Sequence, residues 1–360
     1  MRRGVRRLVP LIAAAGLMLA AFSAPSAAVA QASGSNPLAG RPWGVYKGPS
    51  ELAWGPYARA TGANKALLAK IALRPKAAWF GAWFSDDEIA ARVHEYIVNS
   101  QAGNPNALVQ MTVFRVVPWE QEACTRLPTD AEQASYKLWT DRMAEAIGST
   151  PTAIILQPDG PFALCVPGHS LIPSQLIAYS ARVFSALPHT SVYIEAGEAD
   201  WPAPGRQGGV NAAVQILLQA GIQYARGVAL NGTHYSATTA ESVRGAAIVP
   251  ALAARGVPGK HVVINTSSNG HPFEFGKYKG PDPDNANVCR SARDNSTCVK
   301  LGPPPTADVA NRRFKLAPAT ARLARAYVDG YMWFGRPWLY RQAAPFDVNR
   351  ALQLARTAMY

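Results

Sequence analysis

The chain has 360 residues, of which 48% are hydrophobic and 16% are charged, and its formal net charge at pH 7 is +13. This length supports one large domain or two smaller ones, and the apolar content excludes a disordered polymer. Its basic residues form no Lys/Arg run with interleaved aromatic side chains, so we expect no nucleic-acid partner.

Residues 1–30 have a basic start, an apolar middle and the small-residue pattern "AVA" at their end. This arrangement predicts a secretory signal peptide that is cut before Gln31, which lowers the net charge to about +9. A membrane-spanning helix fits less well because the apolar stretch is short and Pro10 interrupts it. No later segment is apolar enough to span a bilayer. We therefore expect a secreted or envelope-associated protein whose single domain covers residues 31–360.

Seven short β-rich apolar runs follow the leader, at residues 77–83, 108–117, 152–157, 191–196, 226–231, 261–266 and 327–334. The segments 87–101, 131–148 and 212–221 lie between them and carry apolar residues at the three- and four-residue spacing of amphipathic helices. Apolar strands that alternate with helices predict a parallel sheet covered on both faces. We predict an α/β fold of TIM-like type, a closed or nearly closed β/α barrel. A doubly wound open sheet is the alternative.

The longest irregular part runs from about Gly270 to Pro305 and is rich in Pro, Asp, Asn and Gly. A loop of this length inside a compact domain is usually functional or pinned, so we expect an active-site loop. An even number of cysteines in an exported chain predicts disulfides. We predict a bond between Cys289 and Cys298, whose spacing suits a clipped surface loop, and a second between Cys124 and Cys165.

Metal and cofactor sites have little support in the sequence. Neither CxxC nor HExxH occurs, and the six histidines are scattered, so we predict no metal site. The acidic stretch "DPDNAN" at 282–287 is interpreted as a solvated turn rather than a calcium site. The chain has no P-loop, and "GHSLI" lacks the second glycine of a nucleophile elbow, so we expect neither a cofactor nor a serine nucleophile.

Polar residues that follow successive strands collect on one rim of such a barrel, where the chemistry of this fold is located. They are Glu120, Glu122, Asp159, Glu195, Glu198, Asn231, His234, Tyr235, Asn265 and Asn269. Each one alone has a structural interpretation, as a helix cap, an ion-pair partner or a turn. Carboxylates together with aromatic residues such as Trp201 instead indicate sugar chemistry. Asp159 follows an apolar run between two prolines, where burial would raise its pKa as a glycosidase proton donor requires.

Five blocks of the chain resemble glycoside hydrolase family 6, the inverting 1,4-β-glucanases and cellobiohydrolases. In chain order they are "NPLAG", "ILQPDGPF", "YIEAGEADW", "ALNGTHY" and "VINTSSNG". The resemblance implies a distorted α/β barrel of seven strands, and it makes Asp159 the match to the proton donor in the signature V-I-E-P-D-[ST]. "PWEQEAC" loosely matches P-x-R-D-C, so Glu122 corresponds best to the aspartate that tunes the donor. Cys124 matches the signature cysteine, and its bridge fits Cys165.

The resemblance also implies residues that bind the sugar chain. Glu195 stands where the family has Asp in Y-[IL]-D-A-G-H, and Trp201 matches the tryptophan that stacks on sugar. Asn231 and Tyr235 match L-N-x-x-N-Y, and Trp333 remains from W-x-K-x-P-G-E-x-D-G near the carboxyl terminus.

The carboxyl-terminal segment departs from the family, since "MWFGRPWLYRQ" lacks the lysine, glutamate and aspartate of that motif, and Arg336 is the nearest cation. The catalytic base is therefore unassigned, with Glu122 or Glu195 acting through water as our hypothesis. We expect a monomeric secreted endo-1,4-β-glucanase that acts on β-1,4-glucan. The alternatives are a glucan-binding or envelope protein with little or no turnover, and a glycosidase for another envelope polysaccharide.

Overall fold

The computed structural model describes residues 35–360, apart from the side chain of Gln121, so the predicted signal peptide lies outside the described residues. The helices are α1 (Trp54–Arg59), α2 (Gly62–Ala72), α3 (Ile89–Gln101), α4 (Asp130–Ile147), α5 (Ile172–Ser185), α6 (Gly209–Gln219), α7 (Thr238–Ala254), α8 (Pro318–Tyr327) and α9 (Val348–Thr357). The strands are β1 (Ala78–Gly81), β2 (Val109–Phe114), β3 (Thr152–Leu156), β4 (Thr190–Glu195), β5 (Gly227–Leu230), β6 (His261–Asn265), β7 (Val328–Met332), β8 (Leu339–Tyr340) and β9 (Ala343–Phe346).

Strands β1 to β7 form one parallel sheet in sequence order, so each of the seven predicted strands is confirmed. The sheet curls into a distorted barrel whose edge strands are β1 and β7. The seam between these edges is bridged by Ala77 N–H, which donates to Trp333 O at 2.9 Å, and by Trp79 Nε1–H, which donates to Phe334 O at 2.6 Å. The predicted barrel is thus nearly closed rather than continuous.

Alternate residues of each central strand enter two different apolar layers, as expected for side chains that point to opposite faces of a sheet. In β3, Ile154 and Leu156 pack among the surrounding helices, while Ala153 and Ile155 fill the barrel interior with Tyr193. All five are fully buried. Since burial of one large aliphatic side chain contributes about 1.5–3 kcal/mol, these two layers stabilise the scaffold that carries the loops.

The crossover helices begin and end on ordinary local signals. Helix α4 starts at a capping box in which Thr129 Oγ1 accepts from the Glu132 N–H and the Glu132 carboxylate accepts from the Thr129 N–H. Such a cap contributes about 1 kcal/mol. Its buried residues, Tyr136, Trp139 and Met143 among them, lie on one face. No helix in residues 35–360 is long and apolar enough to cross a membrane.

The amino end of the barrel holds a buried ion-pair network around Asp329 on β7. Arg226 Nε donates to Asp329 Oδ2 at 2.8 Å, Tyr193 Oη donates to the same oxygen at 2.8 Å, and His261 Nδ1 lies 3.2 Å from Oδ1. Burial raises the pKa of Asp329, but the hydrogen bonds from His261 and Arg226 outweigh it and leave the pKa below its usual value. This acid is paired and ionised.

Candidate active site

A cleft with a volume of about 970 Å³ opens at the carboxyl ends of the strands. Its walls combine aromatic rings with charged groups, and the main ones are Trp79, Trp83, Phe114, Phe162, Trp201, Phe275, Glu120, Asp159, Asp200, Glu274, Asp284, Arg206, Arg336 and Arg341. Aromatic faces beside carboxylates suit a sugar ring, which presents apolar C–H faces and a rim of hydroxyl groups. The 270–305 loop supplies several of these residues, so it contributes to the cleft as expected.

Asp159 lies at the floor of the cleft directly after β3, and only 8% of the residue is exposed. Its backbone is left-handed, with φ at 62°, which is uncommon for a residue with a side chain and is found where a site constrains the chain. Thr233 Oγ1 donates to Asp159 Oδ1 at 2.9 Å. Burial raises the pKa of Asp159 to about 6, against the opposing effect of that hydrogen bond, and the Glu120 carboxylate adds to the rise. The carboxyl therefore keeps its proton in mildly acidic solution.

The segment after β2 presents Glu120 rather than Glu122 to the cleft. Residues Glu120–Cys124 form a 3₁₀ turn, and Glu120 is in the left-handed region with φ at 57°. Glu122 lies outside the cleft with a side chain that is 70% exposed, 4.0 Å from Arg126. The role predicted for Glu122 remains a prediction, whereas Glu120 lines the cleft and its charge raises the pKa of Asp159.

Two more glutamates are buried beneath the cleft floor. Glu195 accepts from Gly160 N–H at 2.9 Å and from Gly197 N–H at 2.8 Å, so it holds the loop that carries Asp159. Glu198 is fully buried and accepts from Thr233 N–H at 3.3 Å. Burial, with the neighbouring acids adding to it, raises the pKa of both carboxyls well above the usual value. Glu195 supports the floor from below, since both of its oxygens are engaged by backbone.

His234 and Asp200 form a hydrogen-bonded pair on the cleft wall, with His234 Nδ1 2.9 Å from Asp200 Oδ1. Asp200 also accepts from Ser236 Oγ and from Phe275 N–H. Burial raises the pKa of Asp200, but these hydrogen bonds lower it by more, so the pKa lies below its usual value. The ligand atoms of Glu198, Asp200 and His234 lie within 4.8 Å of one another, so these three residues are the described group at the cleft that could hold a metal ion.

Of the five residues predicted to bind sugar, Trp201 lines the cleft, and Glu195, Asn231, Tyr235 and Trp333 lie behind it. Trp201 lines the cleft and packs edge-on against Phe162. Asn231 is fully buried and ties the ends of two strands together by donating to Asn265 O at 3.0 Å. Tyr235 and Trp333 are buried, and their polar atoms donate hydrogen bonds to the backbone of the 270–305 loop. These contacts give the three residues supporting positions.

Both predicted disulfides are present. Cys124–Cys165 joins the turn that carries Glu120 to the 3₁₀ turn Gly160–Cys165 that follows Asp159, and Cys289–Cys298 closes a short segment of the 270–305 loop. The first bond therefore links the segments that follow β2 and β3 covalently at the cleft.

Several cleft residues were not predicted as site residues. Trp79 stacks beneath Arg336, whose guanidinium lies 4.3 Å from the ring centroid, and Asp284, Arg341 and Gln342 come from irregular segments. Only the acidic composition of 282–287 marked Asp284, and the same composition is typical of solvated turns. Their positions depend on loop packing, for which the sequence carries no periodic signal.

A parallel α/β barrel with a buried, protonatable carboxyl at the carboxyl ends of its strands and an aromatic cleft has the features that an acid–base glycosidase requires. Residues 50–337 match the family model "Glycosyl hydrolases family 6". The chain belongs to that family.

Relatives with curated names include Endoglucanase A of Cellulomonas fimi, 31% identical over 228 residues, an alignment that covers 63% of this chain and 47% of that protein. Endoglucanase 1 of Streptomyces halstedii is 27% identical over 239 residues, which cover 63% of this chain and 70% of that protein. The chain thus spans about half the length of the Cellulomonas protein.

The solved structure of endoglucanase Cel6 from Mycobacterium tuberculosis, in complex with methyl-cellobiosyl-4-deoxy-4-thio-β-D-cellobioside, superposes with a TM-score of 0.68 at 26% identity. The match covers 90% of this chain and 99% of that chain. The catalytic core of cellobiohydrolase Cel6A from Chaetomium thermophilum matches with a TM-score of 0.65 at 19% identity and shares the fold.

Proposed function

We propose that this protein is an endo-acting hydrolase of β-1,4-glucan in which Asp159 is the general acid. The observation that carries the proposal is the buried Asp159 carboxyl at the floor of an aromatic cleft, with a pKa of about 6. Protonated at mildly acidic pH, this group can deliver a proton to the leaving oxygen of a glycosidic bond. The names of the relatives and the thio-oligosaccharide in the Mycobacterium tuberculosis structure support a β-1,4-glucan substrate.

The endo mode is supported by the short segment after β7. It folds into the small hairpin β8–β9 and contributes Arg336, Arg341 and Gln342 to the cleft. A hairpin of this size covers little of the cleft, so an internal bond of a long chain can enter. The test is the ratio of viscosity loss to released reducing ends on soluble glucan, which is high for internal cutting.

The activity test compares the protein with its Asp159→Asn variant on soluble β-1,4-glucan. We expect a fall of about 10²–10⁴-fold in turnover, the contribution of a positioned general acid. Binding of cello-oligosaccharides should persist in the variant because the aromatic walls are unchanged. Equal turnover in both proteins would remove Asp159 from the mechanism.

A glucan-binding protein without turnover is the second candidate. It is favoured by the segment 332–346, which carries no carboxylate, where a family member usually supplies a glutamate and an aspartate. Oligosaccharide binding by the unaltered protein, with no reducing ends released, would establish this candidate.

We also propose that the protein is exported and that it acts as a monomer. Export is supported by the two disulfides, which persist in oxidising compartments. Amino-terminal sequencing of protein from the culture medium should begin at Gln31, and light scattering should give the mass of one chain.

A further inference from the structure

An inverting glycosidase needs a second carboxylate, opposite the acid, to take a proton from the attacking water. Five described carboxylates line the cleft: Glu120, Asp159, Asp200, Glu274 and Asp284. Asp159 is the proposed acid. The Asp200 carboxylate already makes hydrogen bonds with His234, Ser236 and Phe275, so it is not free to bind the attacking water. Glu274 is exposed and lies 3.8 Å from Lys277. The choice is therefore between Glu120 and Asp284.

Glu120 shares a wall with Asp159. The two residues follow the adjacent strands β2 and β3, and the Cys124–Cys165 disulfide joins the turns in which they lie. Glu120 therefore lies beside the segment that carries the acid. From there it adjusts the protonation of Asp159, consistent with its effect on the pKa of that residue.

Asp284 comes from the other side of the curled sheet. It lies in the 3₁₀ turn Pro283–Asn285 of the loop that follows β6, three strands away from β3 in the sheet order. Its side chain is exposed on the cleft wall and has no hydrogen-bond partner among the described residues. Both carboxylate oxygens are thus free to hold a water molecule.

The turn that carries Asp284 is fixed by three hydrogen bonds. Tyr235 Oη donates to Pro283 O at 3.0 Å and accepts from Ala286 N–H at 3.2 Å. Gln342 Nε2 donates to Asp284 O at 3.2 Å. Such anchoring holds a base in place while its own side chain remains free.

The tip of the β8–β9 hairpin adds a further anchor. Arg341 Nε lies 2.9 Å from Asp282 Oδ2, directly before the turn. Arg341 and Gln342 both have left-handed backbone, with φ of 48° and 57°, a conformation that costs free energy for residues with side chains. The β8–β9 hairpin, which stands where the family has its acidic segment, therefore holds the loop that carries Asp284 in place.

We infer that Asp284 is the general base of this enzyme, taking the place of the aspartate that the carboxyl-terminal segment lacks. The inference rests on the proposed function. In the step, the water oxygen bonds to the anomeric carbon as the Asp284 carboxylate accepts a water proton. The bond from the anomeric carbon to the leaving oxygen breaks with its electron pair on that oxygen, which takes the proton of Asp159. One water is consumed, and solvent then exchanges the protons of the two carboxyls.

The experiment uses dinitrophenyl β-cellobioside, whose leaving group departs without an acid, so that its turnover reports the base. Asp284→Asn and Glu120→Gln are measured with and without sodium azide, a small anion that can replace the base and its water. Glu145→Gln, an exposed residue on the outer side of α4, is the charge-matched control. Circular dichroism and the melting temperature show whether each variant is folded.

We expect Asp284→Asn to lose about 10²–10⁴-fold in turnover, and azide to restore turnover with formation of the α-cellobiosyl azide. Turnover in Asp284→Asn equal to that of the unaltered protein would overturn the inference. So would azide rescue confined to Glu120→Gln, or a folded Asp284→Asn variant that azide does not rescue. If the unaltered protein cleaves neither this substrate nor soluble glucan, the proposed function itself fails, which is a different result.

Discussion

At the amino end of the barrel, buried Asp329 is surrounded by Arg226, Tyr193 and His261, whereas at the carboxyl end the buried Asp159 faces a threonine hydroxyl and other acids. The consequences for ionisation are opposite, because the pKa of Asp329 is lowered and that of Asp159 is raised to about 6. The ionised carboxylate of Asp329 therefore stabilises the folded protein, whereas that of Asp159 destabilises it. The difference separates structural from functional burial of the same chemical group.

The largest expected effect comes from breaking the paired end. Asp329→Ala leaves Arg226 without its partner, and we expect the free energy of unfolding to fall by about 3–5 kcal/mol. Urea denaturation measures this loss. Glycosidase activity of the folded fraction should persist, since Asp329 lies at the far end from the cleft. Asp329→Asn, which keeps the shape, is the milder companion if the alanine variant does not fold. A loss below about 1 kcal/mol would remove the contrast between the ends.

The unpaired end should respond in the opposite direction. The pKa of Asp159 is about 6 in the folded protein and near 3.8 when unfolded, so the unfolded chain releases this proton first as pH rises. Asp159 therefore costs stability progressively from pH about 4 to 6, and the full cost remains above that window. At pH 7 we expect Asp159→Asn to be more stable than the unaltered protein by about 2–3 kcal/mol. The difference should vanish near pH 3, and a variant that is less stable at pH 7 would refute the account.

The same titration should limit catalysis. Since Asp159, as the proposed general acid, must be protonated, we expect kcat/KM to fall about tenfold per pH unit above its pKa, near pH 6. A pH–rate profile on soluble glucan measures this limb. Glu120→Gln should move the limb to lower pH, because the charge of Glu120 contributes to the raised pKa. If the limb does not move, the charge of Glu120 does not affect the pKa of Asp159.

Trp201 tests whether the cleft wall contributes binding rather than stability. Trp201→Ala removes an aromatic face, and we expect KM to rise about tenfold, or about 1.4 kcal/mol, with a smaller change in kcat. Trp201→Phe keeps an aromatic ring and should recover part of the loss. Kinetics on cello-oligosaccharides of increasing length measure the effect. An unchanged KM would place the sugar elsewhere in the cleft.

The smallest expected effect belongs to Glu122, which lies at the carboxyl end but outside the cleft. Glu122→Gln should change stability by less than about 0.5 kcal/mol, as is usual for an exposed residue, and should leave turnover unchanged. Glu120→Gln is the matched change two residues earlier. If Glu122→Gln lowers turnover more than Glu120→Gln does, Glu122 has the role that the motif match gave it, and the assignment of that role to Glu120 from the structure is wrong.

The strands could be predicted because their buried faces require continuous apolar runs, and these runs alternate with amphipathic helices in the order that a parallel barrel needs. The position of Asp159 followed in the same way, since the end of an apolar strand next to two prolines fixes where the chain leaves the barrel. The cysteines were also informative, because both predicted disulfides lie in the segments that shape the cleft.

The tertiary structure decided which polar groups meet. The motif match selected Glu122, yet the structure presents Glu120, in left-handed backbone, to the cleft and leaves Glu122 exposed outside it. Asn231, Tyr235 and Trp333 match binding motifs, but neighbouring backbone engages their polar atoms. Asp284 reaches the cleft through hydrogen bonds from Tyr235 and Gln342, residues distant in sequence. Strand identity depends on local hydrophobic patterns, whereas the direction of a loop carboxylate depends on packing between distant segments, which no local pattern encodes.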